Sequence, residues 1–107
     1  MGKDELIRNS TLTIGTSAVV VSEEQYQGNA ERSVILIINT STGGQKITIA
    51  PDDEATSGIG IVLGAGGFYQ DSKDSGYIPT QTRISAISDI AGGTISIHER
   101  VIVKRGF

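Results

Sequence analysis

His98 is the single histidine of the chain, and histidine is the side chain most often used for acid–base chemistry and metal binding near neutral pH. It lies at the end of an alternating run in which Ile95 and Ile97 form one face, so we expect its side chain on the opposite, solvent-facing side. A cupin-type enzyme binds its metal through several histidines. The sequence also lacks the Gly-x-Ser-x-Gly elbow of a serine hydrolase. We therefore predict no catalytic residue and no enzyme activity.

Acidic residues gather in predicted loops, where several oxygen ligands could surround a calcium ion. They are Asp52, Asp53 and Glu54, together with Asp71, Asp74 and Asp89. Their spacing lacks the Asp-x-Asp-x-Asp-Gly pattern of a calcium loop, and the chain has no cysteine that could bind zinc. We predict solvated acidic loops and no metal site, with calcium kept as an alternative.

Two further patterns could bind a ligand. Tyr26, Tyr69 and Tyr77 could form a modest platform against which sugar rings stack, as in a carbohydrate- or receptor-binding module. The glycines of residues 58–67 resemble a phosphate loop, but a strand-like segment follows them, whereas a phosphate loop opens a helix. These glycines therefore predict a tight corner between strands and no bound cofactor.

Charge and hydropathy limit the partners of the chain. Nine basic residues against twelve acidic ones give a net charge of −3, and the basic residues are dispersed, which argues against nucleic acid as a direct partner. The longest apolar run, residues 34–38, is far shorter than the roughly 20 residues that span a bilayer. The charged, acidic N-terminus is unlike a signal peptide. We expect no membrane partner and synthesis without secretion.

β-branched residues recur at regular intervals between glycine, serine and aspartate clusters, the rhythm of an all-β sandwich or barrel. Paired glycines at 43–44 and 92–93 suit hairpin turns. We predict one domain over residues 1–107, folded as an antiparallel, jelly-roll-like β-sandwich of about eight strands. The predicted strands cover residues 11–14, 18–21, 33–39, 46–50, 58–63, 67–71, 83–88 and 93–98.

Two segments do not fit a lone sandwich. The run 34–38 is apolar without alternation, so its second face needs a cover, either a loop or a neighbouring subunit. In the last strand, the parity of Ile95 and Ile97 would bury Glu99, so we expect the strand to end or bulge near His98. Residues 101–107 then form either a ninth strand or an arm that reaches a partner, and residues 1–10 form a second possible arm.

The order of these signals resembles that of small virion proteins of tailed bacteriophages and other double-stranded DNA viruses, namely capsid-associated, decoration and vertex components. The resemblance covers residues 16–99. It depends on the segments NAERSVILIINTS (29–41), KITI (46–49), SGIGIVLGAGG (57–67), RISAIS (83–88) and GTISIHE (93–99). The apolar and basic tail after residue 100 departs from that pattern.

The resemblance implies a non-enzymatic structural protein of a virus particle, made in the host cytoplasm. Its partners would be copies of itself and other virion proteins. We expect the interface to include Val101, Val103 and Phe107, with Arg32 pairing an acid nearby. On this hypothesis, Phe107→Ala loosens assembly while the monomer stays folded.

Overall fold

A computed structural model describes residues 2–24, 30–72 and 81–105, with backbone alone for 2–4 and 104–105. The described chain is all β, and it contains no helix that is long and apolar enough to cross a membrane. Its strands are β1 (Gly2–Ile14), β2 (Val19–Ser22), β3 (Ala30–Asn39), β4 (Ile47–Pro51), β5 (Ile61–Leu63), β6 (Phe68–Ser72), β7 (Ile84–Ser88) and β8 (Gly93–Arg105).

The strands form two four-stranded antiparallel sheets. The long sheet has the order β1-β8-β3-β6 and the short sheet the order β2-β7-β4-β5. Apart from the β4–β5 hairpin, every connection crosses from one sheet to the other, which is the winding of a jelly roll. The predicted fold class, an eight-stranded antiparallel β-sandwich of jelly-roll type, is confirmed.

Alternation along the strands explains where the core lies. The side chains that face the opposite sheet are aliphatic, and β-branched isoleucine dominates because it packs well on a pleated surface. The partly buried side chains of Tyr69 and Leu12 pack against this core. The buried core residues are Ile14, Val21, Ile35, Ile37, Ile47, Ile49, Leu63, Ile84, Ala86, Ile95 and Ile97.

A loop covers the outer face of the short sheet. Within residues 52–60, the Ala55 amide donates to Ser85 Oγ (2.8 Å), and that hydroxyl donates to the Asp53 carbonyl (2.6 Å). The Gly58 amide donates to Thr48 Oγ1 at 2.9 Å. Thr48 and Ser85 are therefore buried on the face that would otherwise meet solvent.

The apolar run in β3 has one core face and one outer face. Ile35 and Ile37 are fully buried between the sheets. Val34, Leu36 and Ile38 lie on the outer face of the long sheet, where each is only partly buried. Cover of this outer face by a neighbouring subunit stays a prediction.

One end of the long sheet extends further than predicted, because two of its strands are longer than expected. β1 begins at Gly2 rather than at residue 11, and β8 runs to Arg105 rather than ending at His98. The expectation that β8 ends or bulges near His98 is wrong, because its pairing with β1 has no register shift. Residues 2–10 and 101–105, the possible arms, pair with each other as the ends of these two strands.

Gly93 provides a direct test of the packing at the start of β8. A Cβ there would lie 2.8 Å from Ile47 Cδ1, 2.8 Å from Ser88 Oγ and 3.0 Å from the Ile14 carbonyl oxygen. We expect Gly93→Ala to lower the free energy of unfolding by about 1–3 kcal/mol, since backbone and core must shift. Gly64→Ala is the matched control, because nothing lies within 4 Å of its Cβ position. Equal effects in urea denaturation would contradict this account.

Candidate functional site

The long sheet projects beyond the sandwich at one end. The short sheet reaches no further than the Ser22–Ile84 and Pro51–Ile84 pairs, whereas β1, β8 and the start of β3 continue as a three-stranded ribbon. We call this extension, residues 2–7, 30–32 and 100–105, the terminal ribbon. It makes the molecule elongated, with extents of 48 × 23 × 22 Å.

A buried ion pair closes the core where the terminal ribbon begins. Arg32 has no exposed surface, and its Nε donates to Glu99 Oε2 at 2.8 Å. Ser22 Oγ accepts from Arg32 Nη2 (2.6 Å) and donates to the same carboxylate oxygen. Arg8 Nη2 lies 3.1 Å from Glu99 Oε1. Two cations and a hydroxyl therefore satisfy both oxygens of one buried carboxylate.

Backbone groups complete the environment of Arg32. Its Nη2 donates to the Glu23 carbonyl (2.7 Å) and its Nη1 to the Thr82 carbonyl (3.1 Å). Gln81 accepts from the Arg32 amide at 2.6 Å and donates to the Arg32 carbonyl at 3.0 Å. The planar guanidinium thus ties β3 to the segment that follows β2 and to the segment that precedes β7, two neighbouring strands of the short sheet.

Two register shifts bring these polar groups together. The β3–β8 register shifts between Arg32 and Val34, which leaves Ser33 as an extra residue and turns Arg32 toward the interior. A second shift between Val20 and Ser22 places both Val21 and Ser22 in buried positions. A bulge of this kind changes the direction in which a side chain points. Here one bulge places Arg32 next to Glu99, and the other places Ser22 there.

Arg32 does pair an acid, as predicted, and that acid is Glu99. Sequence reasoning missed the part played by Glu99, although the signal was present in the parity of β8, which buries position 99. The predicted place of Arg32 in a subunit interface needs revision, since its side chain is enclosed within its own protomer. The buried Arg32 side chain stabilises the base of the terminal ribbon from inside the protomer.

Both faces of the terminal ribbon carry apolar side chains. Leu6 pairs with Val101 on the face that continues the core, and Leu6 is 58% exposed. Ile7 lies on the outer face and is 52% exposed. Val101, Ile102 and Val103 are partly exposed. The predicted interface residues Val101 and Val103 therefore lie on this ribbon, and Phe107 lies outside the described residues.

A polar row borders the outer face of the ribbon. Arg100 Nε donates to His98 Nε2 at 3.0 Å, and His98 Nδ1 lies 2.7 Å from Asn9 Oδ1. In the tautomer that carries its hydrogen on Nδ1, Nε2 accepts from Arg100 while Nδ1 donates to Asn9 Oδ1. Arg100 also lies 3.7 Å from Glu5. The predicted outward placement of His98 is confirmed.

The alternative ligand sites are not assembled among the described residues. No group of three or more metal-ligating side chains occurs there. Asp89 accepts from the Lys46 amide at 2.8 Å, as part of a turn. Tyr69 packs against the core, and this burial, followed by the charge of Asp71, raises the pKa of its hydroxyl. Tyr26, Asp74 and Tyr77 lie outside the described residues.

The depressions on the described surface include one beside β2 and β7 and one along β6. One, of about 60 Å³, lies beside Val19, Asp53 and Arg83. The other, of about 520 Å³, follows the open edge of β6, and the described residues that line it all belong to that strand. Both depressions open to solvent, whereas a ligand pocket buries most of its ligand.

Comparison with known proteins supports the fold. No family model and no curated protein matches the sequence. Among solved structures, a chain of the disulfide-linked pili of Bacillus endospore appendages is similar with a TM-score of 0.63 and 12% identity. That match covers 97% of this chain and 89% of the pilus chain.

Two viral structures are also similar. A chain from the capsid of Helicobacter pylori bacteriophage KHP30 has a TM-score of 0.53 and 9% identity, over 97% of this chain and 100% of the other. The coat protein of Tobacco streak virus has a TM-score of 0.51 and 6% identity, over 98% and 86%. At such identities the likeness establishes a shared fold alone.

The buried ion pair predicts an asymmetric response to mutation. Glu99→Ala leaves the Arg32 charge buried without its carboxylate, so we expect a loss of about 3–5 kcal/mol in the free energy of unfolding. Glu5→Ala, the control, removes a carboxylate from a half-exposed ion pair and costs less than about 0.5 kcal/mol. In urea denaturation, the double variant Arg32→Met/Glu99→Leu should recover most of the loss. A cost for Glu99→Ala below about 1 kcal/mol would refute the assignment.

Proposed function

We propose that this chain is a non-enzymatic structural subunit of a virus particle, associated with the capsid as a decoration or vertex component and acting through self-assembly. The jelly-roll sandwich that it shares with the phage KHP30 capsid chain and the Tobacco streak virus coat protein supports this proposal. In the described part of the chain, no constellation of acid, base and nucleophile competes with it.

The observation that carries the proposal is the terminal ribbon. A projecting element with aliphatic side chains on both faces loses apolar surface to water only when something packs against it. Leu6 and Ile7 are each more than half exposed, on opposite faces of the same strand. The ribbon is held by the buried Arg32–Glu99 pair, so it meets a neighbour as a pre-formed element.

The size of the ribbon favours assembly by repetition. Two strands of six residues and a third of three residues present a face of at most roughly 14 × 20 Å. That is well below the roughly 800 Å² per partner of a standard stable interface. One ribbon contact alone is therefore weak, and closed symmetry, which repeats each contact around an axis, supplies the missing stability. Further contacts with other virion proteins would add to the stability of the assembly. The proposed partners include neither nucleic acid nor membrane.

A filament subunit is the second candidate, and the likeness to the endospore appendage pili favours it. Those pili are disulfide-linked, whereas this chain has no cysteine, so its copies would join without covalent bonds. Negative-stain electron microscopy of the purified chain distinguishes the two candidates. Closed rings or small discrete oligomers support the virion role, and open filaments support the second candidate.

The assembly surface can be tested at Val101 and Val103. We expect Val101→Asp/Val103→Asp to weaken self-association at least about tenfold, because charges replace the apolar contact of the ribbon. Phe107→Ala should weaken it as well. The measurement is the solution mass by light scattering across a concentration series, with and without EDTA, and EDTA should change nothing.

Val62→Asp is the matched control. Val62 is 41% exposed on the outer face of the short sheet, away from the terminal ribbon, so this variant should assemble like the unmodified chain. Circular dichroism establishes that each variant is folded. If the unmodified chain stays monomeric at high concentration, or if the double variant assembles as well as the control, the proposed role of the ribbon is wrong.

A further inference from the structure

The four sheet edges of the protein are protected very unequally. β2 has 4 residues and a register shift, β5 has 3 residues, and β6 has 5. β1, the fourth edge strand, has 13 residues. Short and bulged edges resist pairing with another chain, while a long regular edge displays a row of free backbone donors and acceptors.

Although β1 contains charged residues, it has neither of two other features that blunt an edge, a bulge and a proline. Its register with β8 runs without a shift over its whole length, and it contains no proline. An inward-pointing charge is one further protection, and Arg8 points inward, but Glu99 neutralises it at 3.1 Å. In the part of the chain that the structure describes, β8 is the only strand paired with β1. Its outer edge is therefore available to a strand.

We propose that the β1 edge pairs antiparallel with the β1 edge of a second copy, about a two-fold axis that is perpendicular to the sheet and passes beside Leu6. The two long sheets then form one continuous eight-stranded sheet. A two-fold contact of this kind is self-complementary, because the same edge serves both copies. This inference deepens the proposed function by naming the contact and the partner, and it rests on that function.

Parity and charge restrict the register, and we choose among the remaining positions the one that covers Leu6 beside Val101. With the axis perpendicular to the sheet, core-facing residues of one copy lie beside core-facing residues of the other, so the axis passes through one residue position. An axis at Glu5 or at Arg8 would place like charges directly opposite each other, which is unfavourable. An axis at Leu6 places Leu6 against its own copy.

The same register pairs residues 2–10 of the two copies. It sets the acidic position 4 of each copy beside the basic position 8 of the other, so this favourable pair occurs twice. It also joins the apolar surfaces of the two ribbons. Leu6 lies beside Val101 within one copy, so Leu6 and Val101 of both copies form one strip across the axis. The exposed leucine is covered at the centre of the contact.

A single cysteine tests this geometry cleanly, because the chain has none of its own. In Leu6→Cys the two sulfurs lie across the axis, where Cα atoms of paired strands are about 4.5–5.5 Å apart, within disulfide range. Thr11→Cys is the matched control on the same exposed strand. Its Cα lies about 34 Å from its copy, ten residues further along the paired strands.

Both variants are incubated in a glutathione redox buffer and analysed by non-reducing electrophoresis, and circular dichroism establishes their folding. We expect Leu6→Cys to form a disulfide-linked dimer at least about tenfold faster than Thr11→Cys. Equal rates, or a faster Thr11→Cys, would overturn the proposed register and contact. If Leu6→Cys fails to cross-link faster but the unmodified chain still assembles in light scattering, the proposed contact is wrong and the proposed structural role stands. Absence of both assembly and cross-linking would overturn the two proposals together.

Discussion

The pairing of Arg32 with Glu99 is the constraint on which the rest of this structure depends. Jelly-roll sheets enclose an aliphatic core that must end somewhere, and here the long sheet continues after the short sheet has stopped. A carboxylate buried at that boundary is tolerated only when it is paired and hydrogen-bonded. Arg32, Arg8 and Ser22 meet that need, and in doing so they tie β3, β1 and β2 to β8 where the core ends.

The terminal ribbon follows from this arrangement. Beyond the ion pair, β1, β8 and the start of β3 stay paired with one another but have no opposing sheet, so aliphatic residues on both of their faces meet solvent. In a monomer this apolar surface stays in contact with water and adds little stability. In an assembly, burying the same surface stabilises the contact between copies. The long unshifted edge of β1 lies on the same element. Apolar faces and a long regular edge on the same element support the proposed role in assembly.

Much of the fold could be predicted from local patterns. All eight predicted strands overlap observed ones. The alternation of isoleucine with small polar residues indicates both that a segment is a strand and which of its faces is buried. The projecting end of the long sheet was predicted less well. Residues 2–10 and 101–105 carry mixed charged and apolar sequence, and their strand character comes from pairing with each other across the whole length of the chain. Such long-range pairing leaves little local trace.

By itself, the sequence determined the fold class, the dry faces of the strands and the outward position of His98, since each depends on a periodicity of two within one strand. It also indicated that position 99 conflicts with its own strand. Only the tertiary structure decided how that conflict is resolved. The compensating register shifts lie in β2 and β3, far from Glu99 in sequence, and a bulge in one strand is defined only by the strand that pairs with it.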